Sequence, residues 1–247
     1  MTKMILTLIL MSIASAAIHA QDTAELANKR GVEEFNKQHY DAAAVDFRHA
    51  IQLMPNYAQA YYNLGTANFY LKQFDHAIEN LERAVELDPS SAAGHNQLGV
   101  ALMESGDRRR AVATFKKALL LKPDDAVALY NLGCAYIRLG DFKAAAFALE
   151  RARRLDPGNA EIRLNLACAL SHERRMADAI VELETAVDLK PKDAELQFYL
   201  GRLYLLAKDR GRANDQYAKL KSLDAILAQK LYEFMAGGRI ITVSDFR

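Results

Sequence analysis

Five prolines stand on a fixed interval in this chain. Pro55, Pro89, Pro123, Pro157 and Pro191 each follow the one before by 34 residues. Proline lacks a backbone N–H and its ring clashes with the preceding turn, so it ends a helix. Here it interrupts sequence rich in Ala and Leu, residues that favour helix. A stop repeated on one period means that the chain is built from copies of a single unit.

The copies align without a gap from Ala24, in blocks 24–57, 58–91, 92–125, 126–159, 160–193 and 194–227. The eighth position is small throughout: Gly31, Gly65, Gly99, Gly133, Ala167 and Gly201. The twentieth is always alanine, from Ala43 to Ala213. The twenty-fourth is large: Phe47, Leu81, Phe115, Leu149, Leu183 and Tyr217. Within a block, residues 126–139 and 142–155 carry apolar side chains at helical spacing, and Gly140-Asp141 separates them. Each block therefore predicts two short helices, marginal alone in water. Small residues at positions 8, 20 and 27 let the two approach, and the large residue at 24 fills the space between them. Asp141 is placed to cap the second helix and Asn159 the next first helix. One such pair cannot bury its apolar faces, whereas a stack can.

The pattern Leu129-x-x-Leu132-Gly133-x-x-Tyr136, continued by Ala145, Leu149, Ala152 and Pro157, resembles the tetratricopeptide repeat (TPR) family. That resemblance implies an all-α fold, a right-handed superhelix or solenoid of six helix-turn-helix repeats. The first helix of each pair would line a concave groove. After the last repeat, residues 225–236 predict a capping helix, with Ala225 where a sixth proline would fall, and 237–247 form a tail. Gly237-Gly238 is expected to stop that helix.

Family positions 2, 5, 6, 9, 12 and 13 of the first helix face the groove, and imply a peptide-binding face. It would hold Tyr62, Asn63, Phe69, Tyr70, Gln97, Tyr130, Asn131, Asn165 and Phe198. Asn63, Gln97, Asn131 and Asn165 recur once per repeat and resemble the asparagine ladder of TPR proteins that bind extended peptides. A side-chain amide both donates and accepts, so a row of them suits a peptide backbone. The alternative is that these amides only link neighbouring helices. The rings offer contact area of the kind that dominates binding energy. The charged clamp with which some family members grip a C-terminal carboxylate is missing, since only Asn63 matches it. The expected partner is a protein or extended peptide, with self-association into homo-oligomers as the alternative.

Other chemistry finds little support. Charge is nearly balanced, with 32 Lys and Arg against 31 Asp and Glu, which speaks against nucleic acid. No phosphate loop, nucleophile elbow or metal-binding His spacing is present, so neither enzyme activity nor a cofactor or metal is expected. Cys134 and Cys168 hold equivalent positions on successive first helices. Packed helices lie about 8–10 Å apart, farther than a disulfide spans, so two thiols are expected. His172, four residues after Cys168, reads as solvated. Glu182-Leu183-Glu184 reads as part of a solvated outer face. Lys3, the apolar stretch from Met4 to Ile18 and the small residues through Ala20 describe a secretory signal peptide over 1–20. The chain is thus expected to be exported to the periplasm or beyond, with no membrane span after cleavage.

Overall fold

The computed structural model describes residue 21 and residues 23–237; the expected signal segment and the tail from 238 lie outside them. Thirteen α-helices and no strand occur among the described residues. Helix α1 covers residues 23–36. There follow α2 (Tyr40–Leu53), α3 (Ala58–Tyr70), α4 (Phe74–Leu87), α5 (Ala92–Ser105) and α6 (Arg108–Leu121). Then come α7 (Ala126–Leu139), α8 (Phe142–Leu155), α9 (Ala160–His172), α10 (Met176–Leu189), α11 (Ala194–Leu206), α12 (Arg210–Leu223) and α13 (Ala225–Ala236). From α3 onward every first helix starts at the first block position, and every second helix starts at the seventeenth.

Local chemistry sets these boundaries. The side chains of Ser91, Asp125, Asn159 and Asp193 accept hydrogen bonds from the opening amides of α5, α7, α9 and α11. Asp107, Asp141 and Asp209 do the same for α6, α8 and α12. Between the two helices of each pair, the fifteenth position is left-handed in all six repeats. Two of these residues are Gly106 and Gly140; the others are Gln38, Lys72, Arg174 and Lys208, with φ between 59° and 63°. A non-glycine residue held there costs about 1–2 kcal/mol.

The chain divides into two compact units, one ending at Lys122 and one beginning at Pro123. Each has its own core, built on one rule. A Cβ added at Gly65 would lie 2.6 Å from Cγ of Leu81, and one at Gly133 would lie 2.5 Å from Cγ of Leu149. Gly31 meets Phe47 and Gly99 meets Phe115 in the same way. The missing side chain is what lets the partner helix close in, and the opposing large residue is buried at 1% exposure or less in repeats one to five. Each such side chain contributes roughly 1.5–3 kcal/mol.

Repeat six breaks the rule. Sequence places Tyr217 over Gly201, but Tyr217 is half-exposed. The space above Gly201 is filled by Leu231 of α13, whose Cδ2 lies 2.6 Å from the added Cβ. The second helix of this repeat, RGRANDQYAKLKSL, has too few apolar residues to close its own pair. The capping helix completes the core instead.

The prolines do more than stop helices. Four of their carbonyls are taken up by side chains: Pro89 by His95 Nε2 at 3.2 Å, Pro157 by Arg163 at 2.9 and 3.1 Å, Pro191 by Gln197 at 3.0 Å. His95, Arg163 and Gln197 occupy the fourth block position. At Pro123 the donor is Arg151, at 2.9 Å.

Candidate functional site

In the first unit the expected face is open. Tyr62, Asn63 and Phe69 on α3 and Gln97 on α5 are half-buried, and Tyr70 is 51% exposed. Asn63 already has two partners. Its amide donates to Asn28 Oδ1 at 2.9 Å, and its oxygen accepts from Gln59 at 2.9 Å. A side-chain amide has two donors and two acceptor lone pairs, so one N–H and one lone pair remain for a ligand. Tyr62 lines a cleft of about 120 Å³ with Ala58, Gln59, Ala84, Ser91 and Gly94.

About two turns farther along α3, Phe69 and Tyr70 join a larger group of rings. Tyr40 and Tyr70 stack with centroids 4.9 Å apart, and Phe35 meets both edge-on at 5.1 and 5.3 Å. Phe69 touches Tyr70 at 5.8 Å and Phe74 at 5.7 Å. These offset and edge-on geometries are the favoured ones for aromatic pairs. Sequence reasoning missed Tyr40 and Phe74 because they begin second helices. The signal was present, since the seventeenth block position is aromatic in repeats one, two and four. Beside the rings, hydrogen bonds from Lys37 and then His39 hold the Glu34 carboxyl below its ordinary range.

In the second unit these positions stay open in repeat four and close in repeats five and six. Tyr130 and Asn131 are half-buried. Asn165, expected on an open ladder, is 0% exposed; its amide donates to Glu161 O at 2.9 Å and to the Tyr130 hydroxyl at 3.3 Å. Asn63 and Asn165 thus reach the same place, position five of the preceding repeat. Both amides link neighbouring helices, the alternative role that the sequence left open. Phe198, expected to face a ligand, is 8% exposed. It packs against Leu220, Ala228 and Leu231, because α13 lies across that face. The Arg202 guanidinium sits 5.5 Å from the Phe198 ring and 5.2 Å from the Phe234 ring.

Two further expectations are corrected. His172 is not simply solvated: it stacks on Phe142 with centroids 3.7 Å apart, repeating the Tyr40–Tyr70 relation with the same block positions. Glu182 is not on a solvated face. Its side chain is 7% exposed and bridges Arg153 and Arg163, the latter at 2.6 Å. Glu184 does stay partly exposed; it accepts from Tyr204 at 2.6 Å and Arg212 at 3.1 Å. Burial and then that hydrogen bond raise the Tyr204 hydroxyl well above its ordinary range. Cys134 and Cys168 form no disulfide. Among the described residues no group of three His, Cys, Asp or Glu could hold a metal, and no helix is long and apolar enough to cross a membrane.

Known proteins place this architecture. No curated protein matches the chain at a significant level. Among solved structures, YrrB, described as a TPR protein with an unusual peptide-binding site, is 23% identical and superposes with a TM-score of 0.65. That match covers 76% of this chain and 97% of YrrB. PilF of Pseudomonas aeruginosa is 21% identical with a TM-score of 0.73, covering 87% of this chain and 98% of its own. PilW, described as a widely conserved type IV pilus biogenesis factor, is 21% identical with a TM-score of 0.75, covering 86% and 98%. Family profiles of the tetratricopeptide repeat match residues 58–91, 96–160 and 136–197, and a TPR profile matches 31–71. Helix pairs recurring every 34 residues, glycines packed against large residues across the pairs of repeats one to four, and these overlapping matches agree: the chain belongs to the tetratricopeptide repeat family.

Proposed function

We propose that this protein is a non-catalytic scaffold that holds a peptide or protein segment on the first-helix face of repeats one and two. The observation that carries this reading is the combination there of solvent-accessible rings with an amide that has one donor and one acceptor left. A backbone segment hydrogen-bonds to Asn63 while its side chains lie on Tyr62, Phe69 and Tyr70. The peptide-binding site named for YrrB is in keeping with a peptide ligand. The signal-like segment over 1–20 supports export, so the partner is sought in the periplasm or envelope, where the scaffold helps to assemble a complex. The role named for PilW, in pilus biogenesis, belongs to the same class.

The test is crosslinking of the exported protein in its native envelope, followed by mass spectrometry, with Tyr62→Ala/Tyr70→Ala in parallel. Loss of crosslinked partners in the double variant, with helical content unchanged, is the expected result. Undiminished capture removes this face from the reading.

A further inference from the structure

Five repeat boundaries share a backbone device. Met54, Asp88, Lys122, Asp156 and Lys190 each follow a second helix, and each has φ between −129° and −137°. Each precedes a proline, whose ring keeps the residue before it out of helical conformation. Asp224 occupies the same place after α12 and has the same extended backbone, φ −154° and ψ 106°. Ala225 follows it, not proline. Nothing in the covalent chain prevents α12 from running on into α13. From Arg212 to Ala236 there is neither proline nor glycine.

The bend at Asp224 therefore rests on non-covalent supports, among them two contacts of α12 with α13: Arg210 donates to Met235 O, and the Tyr217 and Tyr232 rings lie 5.7 Å apart. The Asp224 carboxylate accepts from the amides of Ile226 at 2.8 Å and Leu227 at 2.9 Å. And α13 packs back on α11: Leu231 fills the space over Gly201, and Phe234 lies 6.4 Å from Phe198 with Arg202 against both rings. A single residue joins the two helices, so a change in that residue's backbone alone moves all of α13.

We propose that α13 is an exchangeable arm. When Asp224 turns helical, α12 and α13 become one helix, and Leu231 and Phe234 leave α11. The vacated face of repeat six then receives α13 from a second copy of this chain, and each copy both gives and receives. A second copy is the occupant because this face is already shaped to α13: Gly201 admits Leu231, and Arg202 meets Phe234. Reciprocal exchange rebuilds every one of these contacts between copies, the usual low-cost route to a dimer.

Light scattering on the full chain tests this, over a wide range of concentration and after incubation just below the melting transition. The wild type is expected to form a dimer. Ala225→Pro restores the missing stop. Proline suits the first position of a helix, and Asp224 already has the backbone that precedes a proline. This variant keeps the helical content of the wild type and stays monomeric. Asp224→Ala removes the cap and favours a continuous helix, and it tightens dimerisation by on the order of tenfold. A dimer that persists in Ala225→Pro overturns the proposal. So does a chain that stays monomeric both as wild type and as Asp224→Ala.

Discussion

Repeats two and five share one backbone register, yet their first helices present opposite surfaces. In repeat two, positions 5, 6, 9 and 12 are Tyr62, Asn63, Thr66 and Phe69, all half-buried. In repeat five they are Leu164, Asn165, Cys168 and Ser171, with 7%, 0%, 2% and 0% exposure. At positions 5 and 12 the difference is one of size, whereas at position 6 both repeats carry asparagine and only the surroundings differ. Rings stand above the neighbouring helices, whereas short side chains are covered by them. Repeat six is closed by another route, an extra helix laid across the face. A position in a repeat thus says where a side chain points, and its neighbours decide whether a ligand can reach it.

The sharpest way to break this comparison is to attack what holds the closed region together. Glu182→Ala leaves Arg163, 14% exposed, and Arg153, 33% exposed, without their shared carboxylate. Removing one partner of a buried ion pair costs about 3–5 kcal/mol, and with Arg153 partly solvated chemical denaturation should show a loss at the lower end of that range. An unchanged unfolding midpoint means that the triad is wetter than its burial indicates. Next in size is a matched pair at position five. Phe198→Ala empties a packed site and is expected to cost about 3 kcal/mol of stability. Tyr62→Ala is expected to cost under about 1 kcal/mol in stability while weakening partner capture. Thermal melts and the envelope crosslinking assay read the two effects separately, and equal melting losses would erase the distinction between open and closed faces. The smallest effect concerns a feature common to both regions. Lys72→Gly and Arg174→Gly relieve a left-handed residue but add freedom to the unfolded chain, for a net gain of roughly 0.5 kcal/mol. A calorimetric loss in either would mean that the lysine or arginine side chain holds its turn.

The fold was legible in the sequence because helix starts and stops are local events. Asp141 and Asn159 cap the helices they were expected to cap, and the predicted helices 126–139 and 142–155 coincide with α7 and α8. The small-to-large pairing was legible in repeats one to four for the same reason, since one period fixes both partners; in repeat six Leu231 of α13 takes the place expected for Tyr217. The candidate site was less so. Phe198 and Asn165 sit at the expected positions on their helices, but their burial depends on what lies over them. For Phe198 this is α13, placed by tertiary packing. Glu182 was misread because a charge on a second helix is usually solvated, and only the fold brings Arg153 and Arg163 to it. The Tyr40–Tyr70 stack joins two repeats through residues 30 apart, a spacing that no single helix period reveals.

The clasped proline carbonyls carry a consequence for the order of the repeats. Four boundaries share one backbone need, an acceptor to be satisfied, and meet it with three kinds of donor: histidine at Pro89, arginines at Pro123 and Pro157, an amide at Pro191. The repeats are therefore not interchangeable bricks. A block moved to another place in the series would carry its own donor to a boundary whose surroundings were shaped around a different one. Sequence order is written into the seams, and a chain assembled from copies of one consensus block would lose that address.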